Sequence, residues 1–253
     1  MPNLLWIDPL ELGDRMQLLE SLSYFPGRMW KIFVRYGNFF GEGIQNTLIL
    51  AFFTVLLGTI LGTLLAIMRM SKIKPAGWLA TAYIEFIRGT PLMIQLMFLF
   101  YGLPLLGIKF PKIDAIPNFD RFAAGIFAMS INSAAYVAEI IRSGIQAVDV
   151  GQTEAARSLG FRQGQTLRMV VLPQAVKNIL PALGNEFVTI IKESSIVSVI
   201  GIADLMYRTN GVIAITYIQL ESLAVAAILY FILTFITSRL IALAERRMAN
   251  GTR

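Results

Sequence analysis

The run from Ile44 to Met68 contains no ionisable side chain. About 20 mostly apolar residues cross the hydrocarbon core of a bilayer, so this run alone predicts a membrane helix. Its Gly58 and Gly62 form a small-xxx-small pair that admits close helix contact. Four further candidates follow: Trp78 to Leu106, interrupted by Gly89-Thr90-Pro91, then Phe122 to Ala147, Val176 to Ile200, and Thr216 to Leu243. Proline removes a donor and restricts the residue before it, so the second run is expected to break near Thr90. Overall the chain is 56% hydrophobic and 15% charged, against roughly 25% charged for ordinary globular chains. The expected fold is all-α and polytopic, with about five transmembrane helices and lipid as solvent for much of the surface.

The net charge of +6 does not point to nucleic acid, because the basic residues flank the hydrophobic runs. Arg69, Lys72, Lys74, Arg142, Arg157, Arg162, Arg168, Arg246 and Arg247 all fall on one side if the 69–77 and 148–175 loops share it with the carboxy tail. On the other side Arg15, Arg28, Lys31, Arg35 and Arg208 are nearly cancelled by acidic residues such as Glu20, Glu42 and Asp204. The excess of Lys and Arg marks the first side as cytoplasmic, which places the amino terminus outside and the carboxy terminus inside the membrane. Residues 1–43 then form an external segment, 44–245 a transmembrane domain and 246–253 a cytoplasmic tail. Two readings stand for Tyr24 to Phe40: an amphipathic helix along the outer interface, or a helix packed on the bundle's flank. The amino terminus lacks the basic and apolar pattern of a cleaved signal peptide. With no Cys and no His, disulfides, the usual zinc sites, thiol nucleophiles and His bases are excluded.

The longest polar insert between the runs is Gly151 to Pro173. Gln152 to Leu159 is rich in helix formers, and Gly160 stands where a left-handed C-cap is wanted. A second short helix, Gln163 to Val171, is expected to stop at Leu172-Pro173. Ala155 and Ala156 keep one face small enough to enter a groove on another protein, with Glu154, Arg157 and Arg162 at the rim.

Glu154-Ala155-Ala156, Gly160 and Leu172-Pro173, at this spacing inside a basic loop, resemble the cytoplasmic EAA loop of ABC importer permeases. Further segments are similar to permeases of the polar amino acid importers, the histidine, arginine, glutamine and glutamate group. They are Glu85 to Leu92 (EFIRGTPL), Tyr136 to Arg142 (YVAEIIR), Leu172 to Ala175, Gly184 to Phe187, and Lys192 to Ser195. The resemblance implies a permease that pairs with a second permease subunit, identical or related. It further implies an EAA helix presented to a dimer of ATPase subunits and an external binding protein that delivers the amino acid. The coupling residues it implies are Glu154, Ala155, Ala156, Arg157, Leu159 and Gly160. No Gly-Lys dipeptide of a P-loop occurs, so ATP is expected on the partner, and no cofactor or metal is expected on this chain. An enzyme is not expected.

Ionisable residues within a membrane helix are functional hypotheses by default. At about 100° per residue, Asn178, Asn185, Glu186, Thr189, Lys192 and Glu193 of the fourth run share an arc of roughly 120°. Asn132, Tyr136, Glu139 and Ser143 of the third run share about 60°. Facing each other, the two stripes form a hydrated path for an amino acid, lined by Asn185, Glu186, Thr189, Lys192, Glu193, Asn132 and Tyr136. For Lys192 and Glu193 internal pairing is an equal alternative, with Lys192 neutralising Glu186 or Glu193. Glu139 with Arg142, and Glu85 with Arg88, read as structural ion pairs. Two rival functions are weaker. A secondary transporter or channel has no use for the cytosolic insert, and a Ser-Lys enzyme built on Lys192 and Ser194 fails because i, i+2 residues lie on different helix faces.

Overall fold

The computed structural model describes residues 23–113 and 118–250, with side chains to residue 247. The parts of the expected external segment and tail at residues 1–22 and 251–253 lie outside the described residues. What is described is helical, with no strand. Helix α1 covers residues 23–35 and α2 Gly37–Met70. Then come α3 Lys74–Gly89, α4 Leu92–Leu105, α5 Phe119–Gln146, α6 Val150–Ser158 and α7 Gln163–Thr166. The chain continues with α8 Leu172–Glu193, α9 Leu205–Thr216 and α10 Gln219–Asn250.

By length and composition α2, α5 and α10 can each cross a membrane, and α3 with α4 make a fourth span if taken as one bent segment. At 22 residues α8 is long enough, but its polar stripe keeps it out of that group. The break at Thr90-Pro91 is sharper than a kink, since α3 and α4 meet at 108°. Its cause is local. Pro91 cannot donate to the Ile87 carbonyl, and Thr90 is extended at φ −119° and ψ 145°.

The tightest packing joins α2 to α5. A Cβ placed on Gly62 would come within 2.7 Å of Val137 Cβ, and one on Gly58 within 2.9 Å of Ser133 Cβ. The small residues Ser133 and Ala134 on α5 answer those two glycines, so the backbones approach as the spacing predicts. Around this seam Leu50, Leu96, Met129, Ile190 and Ile191 form the main buried cluster, which ties α8 to the α2–α5 pair.

Two expectations need correction, and one open choice is decided. The 216–243 run begins too early, because residues 205–216 form a separate helix, α9, and Tyr217 turns the chain at φ 58°. At 12 residues α9 rises about 18 Å, too short to span. The buried Asp204 carboxylate caps α9 by accepting from the backbone N–H groups of Met206 and Tyr207, and it also accepts from the Tyr230 hydroxyl at 3.1 Å. Second, Pro173 does not stop a helix. The chain passes from α7 through a π-helical turn, Leu167–Val171, directly into α8, with Pro173 in the first turn of α8. The widened turn, in which Leu172 N–H donates to the Leu167 carbonyl, absorbs the donor that proline lacks. Third, of the two readings for residues 24–40, the described part of α1 packs on the flank. Ile32 is buried with Phe40, Leu205, Val212 and Val225, and Arg28 pairs with Glu221 at 2.9 Å.

Candidate functional site: two polar stripes and an exposed end helix

Ion pairs sort the bundle into two ends. Arg208 and Glu42 meet at 2.6 Å at one end. At the other, Glu139 of α5 receives Arg69 from the end of α2, Arg142 at 2.8 Å and Arg88 from the end of α3 at 3.4 Å. The expected Glu139–Arg142 pair is therefore present, within a larger cluster. The expected Glu85–Arg88 pair is not formed among the described residues, because Arg88 turns to Glu139 and lies over the Tyr136 ring, 5.6 Å from its centroid.

The two polar stripes meet only in part. Glu186 is buried and accepts from the Ser133 hydroxyl at 2.8 Å, which ties α8 to α5. Asn132 is also buried, its amide donating to Gln95 Oε1 at 2.8 Å. Neither faces open space within the protomer. Asn185 and Lys192 are exposed, Thr189 and Glu193 half-buried, and Tyr136 exposed beside a row of buried neighbours on α5. Lys192 forms no ion pair within 4.0 Å of Glu186 or Glu193 among the described residues, though its charge acts on the neighbouring Glu193. Asn178 reaches the Gly144 carbonyl at 3.4 Å and belongs to the α5–α8 contact.

The insert folds as a compact cap at the end marked by Glu139. Asp149 accepts from Gly151 N–H at 2.6 Å and starts α6. The helix closes with the Gly160 N–H donating to Arg157 and the Phe161 N–H to Ala156, at 3.0 and 3.2 Å. Gly160 has φ +88°, the left-handed cap its position predicts. Glu154, Ala155, Arg157 and Leu159 are exposed, with Leu159 at 79%. Ala156 is the correction: it is buried and turns inward, so the small face offered to solvent holds Ala155 without it. Behind α6, Val148, Val171, Ala175 and Ile179 form a buried anchor. A cavity of about 400 Å³ separates the end of α5 from α6 and α7.

With a capped helix exposed beyond a bundle of apolar helices, comparison with known proteins becomes decisive. Residues 58–250 match the family described as binding-protein-dependent transport system inner membrane component. The chain belongs to this family. It is 43% identical over 211 residues to the arginine transport system permease protein ArtQ of Bacillus subtilis (strain 168), covering 83% of this chain and 92% of that protein. It is 37% identical over 210 residues to the probable glutamine ABC transporter permease protein GlnM of the same organism, with 83% and 93% covered. Among solved structures, a chain of an amino acid ABC transporter crystallised with histidines shares 49% identity at a TM-score of 0.78, covering 85% of this chain and 96% of that one. A chain of the MetNI methionine ABC transporter shares the fold, at 22% identity and a TM-score of 0.60.

As an inner-membrane, multi-pass transport component, this chain has structural residues that the polar stripes do not include. Gln95 donates to the carbonyls of Ile87 and Thr90 at 2.7 and 3.1 Å and to Thr90 Oγ1 at 2.6 Å. Its signal in the sequence was a lone amide in the apolar run that follows Pro91. Arg88 was read as a brace for Glu85, and Asp204 only as a loop charge.

Proposed function

We infer that this chain is the permease subunit of an ATP-driven importer that moves a polar or charged amino acid into the cytoplasm. What supports this reading most is α6, a short exposed helix carrying Glu154-Ala155-Ala156 and closed by Gly160, in a chain akin to amino acid permeases. In this reading α6 docks on a dimer of ATPase subunits through Glu154, Ala155, Arg157 and Leu159, while Ala156 and Gly160 hold its shape. ATP binds the partner, and this chain supplies no cofactor of its own. An external binding protein delivers the amino acid, and a second permease subunit, identical or related, completes the pathway. Residues 44–245 form the transmembrane domain, with α8 as a fifth span, residues 1–43 outside and 246–253 inside.

In this reading α6 also carries the motion that drives transport. Closure of the ATPases moves α6, and its anchor on α8 through Val171 and Ala175 passes the motion to the bundle. The groove beside Tyr136, with Asn185, Thr189, Lys192 and Glu193, forms the path. Asn132 and Glu186 hold its walls in register from behind.

The test is reconstitution of the complete complex in vesicles, with ATP hydrolysis and uptake screened across polar amino acids. The expected result is that at least one amino acid raises both rates together. Hydrolysis that no amino acid stimulates, with no uptake, would contradict the reading.

A further inference from the structure

On one side of α5 the buried stretch that includes Met129, Asn132 and Ser133 gives way to exposure at Tyr136. The Ile131 carbonyl accepts from the Tyr83 hydroxyl of α3 at 2.8 Å, Asn132 meets Gln95 of α4, and Ser133 and Gly144 meet Glu186 and Ile179 of α8. Taking Asn132 as zero and about 100° per residue, Ile131 lies near −100°, Ser133 near 100°, Gly144 near 120° and Tyr136 near 40°. Tyr136 thus occupies the gap between the α3–α4 elbow and α8, which accounts for its 37% exposure beside the fully buried Ala135 and Val137.

The same rotation on α8 orients the opposite wall. Glu186 and Ile179 face α5, while Ile190 and Ile191 join the buried cluster that holds Leu50 of α2. Asn185 points away from that cluster and is exposed. On α5, Val137 and Ala134 face the α2 glycines. By this rotation Tyr136 and Asn185 each face away from the α2 contacts, on helices tied by the Ser133–Glu186 bond.

The third wall carries charge. Arg69, Arg88 and Arg142 converge on the single carboxylate of Glu139, leaving two positive charges uncompensated in the cluster. Glu139 lies within the bundle, about 10 Å before the end of α5 at 1.5 Å per residue. Arg88 makes the longest of the three contacts and is 45% exposed, lying over the Tyr136 ring at the edge of the gap. Its fork of five donors is far from used by one contact at 3.4 Å. A planar guanidinium with open donors, beside surplus positive charge and bordering a polar groove, suits a carboxylate bound through two parallel hydrogen bonds.

We propose that Arg88 receives the α-carboxylate of the transported amino acid, in the groove floored by Tyr136 and walled by Asn185. This rests on the amino acid transport reading above and adds the group that reads the substrate's acid end. Arg69 and Arg142 stay with Glu139 and hold Arg88's surroundings positive.

The test uses the purified permease–ATPase complex without the external binding protein, so that recognition by that protein does not intervene. Binding of radiolabelled L-arginine and L-glutamine is measured and competed with the corresponding α-amides. The wild-type complex is expected to favour the free acid over its amide by about tenfold or more, the scale of a charge-assisted hydrogen bond. In Arg88→Gln the affinity for the acid is expected to fall to that for the amide, with amide binding unchanged. Arg88→Lys keeps the charge without the fork, so its preference for the acid is expected between those two. A purely structural Arg88, or one that serves a lipid phosphate, would leave the ratio of acid to amide as in the wild type in either variant, and that result overturns the proposal. If the wild-type complex binds no amino acid at all, the transport reading falls as well. An unchanged ratio with intact binding overturns the Arg88 assignment alone.

Discussion

Pro91 lacks the N–H that would pair with the carbonyl of Ile87, and Gln95 supplies that donor from one turn into α4 at 2.7 Å. The same amide nitrogen serves the Thr90 carbonyl, and its oxygen accepts from Asn132. One buried side chain thus satisfies the break and fastens the elbow to α5, where unpaired groups are costly. Gln95→Leu is expected to destabilise the protein by about 1–3 kcal/mol, read as a lower midpoint of thermal unfolding in detergent, whereas Gln95→Glu protonated at low pH keeps one donor and loses less. An unchanged midpoint in Gln95→Leu would contradict this role. At this scale the sequence was informative about residue type and weak about direction. Asn185 and Glu186 are adjacent and share one arc on the helical wheel, yet one is exposed and the other is buried against Ser133. The wheel gives an angle, and the position of the neighbouring helix, which decides burial, comes from tertiary packing.

At the scale of elements, signals set by backbone chemistry could be read in advance and those set by packing could not. Gly160 was legible because a left-handed residue at a helix end favours glycine. The break at Thr90-Pro91 was legible because proline's missing donor is a local fact. Pro173 misled, since a π turn before it absorbs the same defect without ending the helix. The short helix α9 was missed because all of it but Thr216 falls between the fourth and fifth runs, and its start depends on Asp204 being buried against Tyr230. Gly160→Val places a β-branched residue at φ +88° and is expected to cost about 1–2 kcal/mol locally, distorting the end of α6 that carries Leu159. Uptake by the reconstituted complex should fall more than ATP hydrolysis does. Gly160→Asn, which tolerates the left-handed region, should retain most of the uptake. Equal effects of the two variants would show that backbone geometry at this turn does not matter for coupling.

For the molecule as a whole, the charge balance of the loops anticipated two ends, and the ion pairs agree in grouping Arg69 with Arg142 and Glu42 with Arg208. Between the ends lie helices whose large outward side chains, such as Phe52, Ile60, Phe231 and Phe235, are exposed in the protomer. For an inner-membrane component, a bilayer is the natural cover for them. The proposed function requires α6 to be a cytoplasmic contact for a separate ATPase. The chain contains no cysteine, so Leu159→Cys creates a single reactive thiol in this chain at the exposed C-cap of α6. In inside-out vesicles holding the complex, this thiol is expected to react with a membrane-impermeant maleimide when the ATPase is stripped away. With the ATPase in place, a short bifunctional reagent should cross-link it to that subunit. Labelling only in right-side-out vesicles, or cross-linking to no nucleotide-binding subunit, would contradict the account.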